Sequence, residues 1–113
     1  MTSSRRADKT YPAVAKDILE LGESIRIARK RRKKTMADVA ERLNLGYQTV
    51  VRIEKGDPAV SMSAYMSVLW LLDLDRQWVE AIHPDKDQTG KSLELMRLPQ
   101  RVVHKRGESD NDF

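Results

Sequence analysis

The stretch from Thr35 to Gly56, TMADVAERLNLGYQTVVRIEKG, leaves little freedom in what this chain folds into. Its apolar residues Val39, Ala40, Leu43, Leu45, Val50 and Ile53 fall into two short blocks at helical spacing, so each block buries one face. Thr35 is a good N-cap for the first block. Asp38, three residues on, holds the capping-box position, although it is shorter than the usual Glu. That helix ends at Leu43. Asn44 and Gly46 supply the conformational freedom of a sharp corner. A second helix spans about Tyr47 to Lys55, and Gly56 closes it as a left-handed C-cap.

What stays outside the core on the second helix is Tyr47, Gln48, Thr49, Val51, Arg52 and Lys55, a compact polar face of the size that enters a DNA major groove. The flanking sequence is helical too. Ile18, Leu21, Ile25 and Ala28 give a helix from about Ala13–Asp17 to Arg32. Gly22 weakens its middle, so a start near Leu21 is the alternative. Ser61 caps a helix from Met62 to Leu72, with Met62, Tyr65, Met66, Leu69 and Leu72 facing inward. This leaves Val68, Trp70 and Leu71 as surplus apolar surface. Trp70 then lies either in the core or, with Val68 and Leu71, at a subunit interface. A fifth helix, about Arg76 to Ile82, has Leu74, Trp78, Val79 and Ile82 as its apolar side. Residues 13–84 thus form an all-α domain. Residues 1–12 read as a disordered arm, with Arg5, Arg6 and Lys9 as its possible backbone or minor-groove contacts. Residues 85–113 read as an extension: a polar loop from Asp85 to Gly90, one or two helical turns over Lys91–Arg97, an extended run from Leu98 to Val103 and an acidic, disordered tail.

Composition narrows the function. A chain of 113 residues supports one domain, and with aromatics at 5% its core is aliphatic. Cysteine is absent, which removes disulfides and thiolate metal sites. Two histidines near the C-terminal end make no metal cluster, no cofactor is called for, and no nucleophile–base pair or phosphate-cradling glycine loop points to an enzyme. No apolar run approaches the roughly 20 residues of a membrane span. The start lacks the apolar block of a secretory signal, so a cytoplasmic location follows. The net charge of +4 permits nucleic-acid binding. Its distribution says more: Arg26, Arg29, Lys30, Arg31, Arg32, Lys33 and Lys34 put seven bases in nine residues just before the two-helix stretch. Lys33 and Lys34 adjoin that stretch and are candidate phosphate contacts.

The run MADVAERLNLGYQTVVRIEKG resembles the lambda-repressor/Cro-like (XRE) helix-turn-helix family, with alanine, glycine and the Arg-Ile-Glu-x-Gly ending in register. The downstream GDPAVSMSAYMSVLWLLDLD and HPDKDQTGKSLELMRLPQRV look more specifically like HipB-type antitoxins, the DNA-binding partners of HipA-type toxin kinases. The resemblance implies a five-helix repressor that binds a pseudo-palindromic double-stranded operator as a homodimer, restrains a HipA-like kinase and represses their shared operon. It places base reading on Tyr47, Gln48 and Arg52. Arginine can pair with guanine and glutamine with adenine, each contact worth about 1–3 kcal/mol of discrimination. Val51 offers an apolar contact to a thymine methyl. Thr49 and the amides around Thr35 and Gly46 face phosphate, and Lys55 matches a backbone-anchoring position. Arg29 and Glu54 match a buried pair that ties the first helix to the third, the alternative being two separately solvated charges.

Two departures stand out. Met36 replaces the glutamine usual at the start of the second helix, and Gly46 replaces a frequent serine or threonine. Two other readings follow from the same residues. One is a protein–protein inhibitor working chiefly through Leu93–Val103 and the tail. The other is a stand-alone phage-type repressor without a toxin partner.

Overall fold

Residues 9–98 are described by the computed structural model, and their regular structure is helical throughout. The elements are α1 (Pro12–Arg31), α2 (Met36–Leu43), α3 (Tyr47–Glu54), α4 (Met62–Leu71), α5 (Asp75–Ala81), a 3-10 turn at Pro84–Lys86, and α6 (Gln88–Arg97). None of these helices is long and apolar enough to cross a membrane. The arginines of the N-terminal arm, the run from Pro99 to Val103 and the acidic tail lie outside the described residues. The chain divides into two compact units, Met1–Trp78 and Val79–Phe113.

Pro12 opens α1 at the first helical position, after an extended Tyr11. Its lost amide costs nothing there, and its fixed φ suits a helix start. The helix then runs unbroken through Gly22. A β-carbon at Gly22 would lie 2.6 Å from both the Gly56 nitrogen and the Ile53 carbonyl oxygen. The glycine that weakens the helix by about 1 kcal/mol relative to alanine is what lets α1 touch the backbone at the end of α3.

Around that contact α1 packs on α3, and α2 packs on both α3 and α4. The centre is Ile25, Val39, Val50, Ile53, Val68 and Leu72, each no more than 1% exposed. Burial of each such side chain is worth about 1.5–3 kcal/mol.

Helix α4 shows a different face from the one its sequence suggests. Ala64, Tyr65, Val68, Leu69 and Leu72 point inward, Met66 is half-buried, and Met62 is 70% exposed. Both arrangements obey helical spacing, and an all-round apolar helix does not choose between them. Packing against α2 does. Val68 is therefore a core residue and cannot belong to a subunit interface. Leu74, just before α5, and Trp78 within it pack against the core, whereas Val79 and Ile82 are exposed.

Helices α1 to α4 all end the same way. The amides of Lys33, Asn44, Gly56 and Asp73 bond to the carbonyls of Lys30, Glu41, Ile53 and Trp70, three residues back. The amides of Lys34, Leu45, Asp57 and Leu74 reach five residues back, to Arg29, Ala40, Arg52 and Leu69. These are paired Schellman closures. Each turns on one residue with positive φ: Lys33 (57°), Asn44 (55°), Gly56 (71°) and Asp73 (64°). Only Gly56 is a glycine. Gly46 sits in ordinary extended backbone (φ −66°, ψ 146°), so Asn44 alone makes the left-handed bend between α2 and α3.

In the second unit the structured part is longer than the sequence suggests. The polar loop contains the 3-10 turn, and α6 starts at Gln88, where the Asp87 carboxylate accepts the Gly90 amide at 2.9 Å.

Candidate nucleic-acid interface

The surface of α3 is sorted by burial. Val50, Ile53 and Glu54 are buried, Thr49 and Val51 are half-buried, and Tyr47, Gln48, Arg52 and Lys55 are exposed. Tyr47 is 47% exposed. The four exposed side chains line one strip along a two-turn helix, which is about 12 Å long at 1.5 Å per residue. Such a helix fits a B-DNA major groove of about 12 Å width.

What holds α3 in place is the pair Arg29–Glu54. The Arg29 Nε and Nη2 donate to the two Glu54 carboxylate oxygens, the Nη2 bond being 3.0 Å, and Nη1 donates to the Lys34 carbonyl at 2.8 Å. Both residues are buried. The Glu54 hydrogen bond raises the Arg29 pKa against the opposing effect of burial. One guanidinium thus ties α1, the α1–α2 turn and the end of α3 together.

The basic run is less available than its composition suggests. Arg29 is buried, Arg26 pairs with Glu23 at 3.1 Å, and Arg32 donates to the Ala28 carbonyl at 2.9 Å. Lys33 and Lys34 line a shallow depression with Arg32 and Arg42, but also with Asp38 and Glu41, whose charges temper the positive field there.

At the start of α2 two expectations compete. The Thr35 Oγ1 accepts the Asp38 amide at 3.0 Å, and the Asp38 carboxylate accepts the Thr35 amide at 3.0 Å. The capping box is complete, so the Thr35 amide is already occupied and a carboxylate stands beside it. The backbone bond to Thr35 holds the Asp38 pKa below its usual value, keeping the charge in place. At this end the Thr35 hydroxyl proton, not its amide, is left to donate to a ligand. Gly46 is exposed, its carbonyl accepts the Thr49 and Val50 amides, and it has no side chain with which to cap α3.

One residue at this surface escapes a reading of the sequence. The Arg52 Nε donates to Asp57 Oδ2 at 2.8 Å, while Asp57 Oδ1 accepts the Ala59 amide at 2.8 Å. The Asp57 amide bonds to the Arg52 carbonyl at 3.0 Å, and the Tyr65 hydroxyl donates to the Asp57 carbonyl at 2.8 Å. Arg52 foremost, then the Ala59 amide, hold the Asp57 pKa below the ordinary carboxylate range. The signal in the sequence is the spacing. In a Schellman closure the third-last helical residue meets the residue after the glycine, and that contact is usually hydrophobic. Here it is an ion pair.

Of the expected interface residues, Trp70 is 63% exposed and Leu71 is half-buried against the core. With Val68 inside, the apolar patch reduces to Trp70 with Leu71 at its edge.

No curated protein and no solved structure matches the chain. Residues 25–78 match the family model described as Helix-turn-helix, a span that begins at core residue Ile25 and takes in α2 to α4 and the start of α5. Residues 25–78 are thus similar, in sequence and in helix order, to a helix-turn-helix domain.

Proposed function

We propose that the protein is a sequence-specific repressor that binds a pseudo-palindromic operator as a homodimer. The observation that carries this reading is the strip of Tyr47, Gln48, Arg52 and Lys55 exposed on a helix that a buried ion pair fixes to the core. Gln48 and Arg52 read purine edges, Tyr47 and Val51 contact a thymine methyl or the backbone, and Thr35, Gly46, Thr49, Lys33, Lys34 and Lys55 meet phosphate. The two subunits place their α3 helices about 34 Å apart in successive major grooves, joined through Trp70 and Leu71.

By its resemblance to HipB-type antitoxins, the protein further acts as the cytoplasmic antitoxin of a HipA-like kinase and represses their common operon. The exposed Leu93, Leu95 and Met96 on α6 support a protein-binding role for the second unit. They also favour a second reading in which toxin inhibition is the main task.

The test is a salt series of binding to the DNA upstream of the protein's own gene, with wild type and Arg52→Ala. Loss confined to one base position supports direct readout. Equal weakening on every sequence reduces Arg52 to a phosphate contact. Deleting the residues after Pro84 separates the two roles: if kinase inhibition survives, the second unit is not the inhibitor. Failure to co-purify with the kinase leaves a stand-alone repressor.

A further inference from the structure

Arginine on an exposed helix face has four rotatable side-chain bonds and loses much of that freedom when it engages a base. Arg52 has already given up part of that freedom. Its Nε is bonded to Asp57 Oδ2, and Asp57 is itself held at three further points: its amide, its carbonyl and Oδ1. The anchor at the far side, Tyr65, is a core residue. With Nε occupied, the two terminal nitrogens of the guanidinium remain free to act as a pair.

We propose that Asp57 is a positioning residue that sets base choice on α3, holding Arg52 so that its two terminal nitrogens meet the paired acceptors of a guanine. The inference rests on the reading of α3 as the base-reading helix. A carboxylate so close to the DNA repels phosphate, so it weakens binding to DNA in general while sharpening the choice of sequence. The two effects have opposite signs, and that distinguishes this role from an electrostatic or a structural one.

The experiment selects from a randomised duplex pool with the full chain as wild type, Arg52→Ala, Asp57→Asn and the double variant. Wild type is expected to select a motif containing a guanine whose preference Arg52→Ala abolishes. Asp57→Asn keeps an acceptor for the Ala59 amide but removes the charge. It is expected to lose about tenfold of the discrimination at that same guanine, within what a bidentate arginine contact confers, and to bind unrelated DNA as well as wild type or better. The double variant then discriminates no worse than Arg52→Ala. If Asp57→Asn is not folded by circular dichroism, Asp57→Ser, which also retains an acceptor, takes its place.

Unchanged discrimination in the charge-removing variant, sharper discrimination, or equal weakening on all sequences each overturns the proposal and leaves the reading of α3 intact. A wild-type pool without a motif overturns both.

Discussion

Gly22 and Gly56 face each other across the α1–α3 contact so closely that neither has room for a β-carbon. One built on Gly22 lies 2.6 Å from the Gly56 nitrogen, and one built on Gly56 lies 2.5 Å from the Leu19 Cα. The neighbours are backbone, which cannot swing aside. Gly22→Ala gains about 1 kcal/mol of helix propensity but opens the interface, with overpacking costs of about 1–3 kcal/mol. The expected net result is a lower denaturation midpoint. Gly56→Ala is worse, because φ of 71° adds backbone strain to the clash.

Arg29→Ala leaves Glu54 buried without its partner, a loss typically of about 3–5 kcal/mol. DNA binding then falls because α3 is no longer held, although Arg29 is too deeply buried to meet DNA. Replacing both residues by apolar ones, as in Arg29→Met with Glu54→Leu, is expected to recover most of that stability in urea titrations. A double variant no more stable than the singles would count against the pair.

Lys33 adopts a left-handed conformation that costs a non-glycine residue roughly 1–2 kcal/mol. Lys33→Gly is expected to stabilise the fold by about 1 kcal/mol once the greater freedom of the unfolded glycine is subtracted. If Lys33 also meets a phosphate, the same variant lowers the salt dependence of DNA binding by about 0.9 in log–log slope. Stability rises while affinity falls, so thermal melts and binding isotherms move in opposite directions.

Stability depends on pH at both extremes. Asp38 and Asp57 have folded pKa values below their usual 3.8, so their contribution is present above that value and is lost as pH falls through the folded values. Asp38→Asn and Asp57→Asn each flatten the acid limb of a stability profile. Burial raises the Tyr65 pKa from 10.0 to about 12. Its contribution is complete below pH 10 and disappears as pH rises through 12. Tyr65→Phe removes that alkaline limb.

Trp70→Ala is expected to reduce self-association in sedimentation velocity while leaving the monomer's core intact. Val68→Ala should do the reverse, costing about 2 kcal/mol of stability for a buried side chain without touching the exposed patch. If both change the oligomer equally, Trp70 is not the contact.

The element order and most helix ends are legible in the sequence because they rest on local chemistry: Thr35 with Asp38, Ser61, Gly56. The face of α4 is not, because Met62 and Val68 both fit the helical period and only contact with α2 chooses between them. Gly46 attracts attention as a corner glycine, yet Asn44 makes the bend. Asp57 is invisible as a functional residue for a similar reason. Its partnership with Arg52 falls at a spacing where the contact is usually hydrophobic, so the spacing does not announce an ion pair.

The four repeated helix closures also determine where the chain tolerates changes in length. The connections between α1 and α5 are four, three, seven and three residues long, and each opens on a hydrogen-bonded turn. A single inserted residue in either three-residue corner shifts the left-handed position onto a neighbour and breaks the paired hydrogen bonds that close the preceding helix. Insertions and tags are therefore best placed after Ala81, beyond α5, where none of the four closures is disturbed.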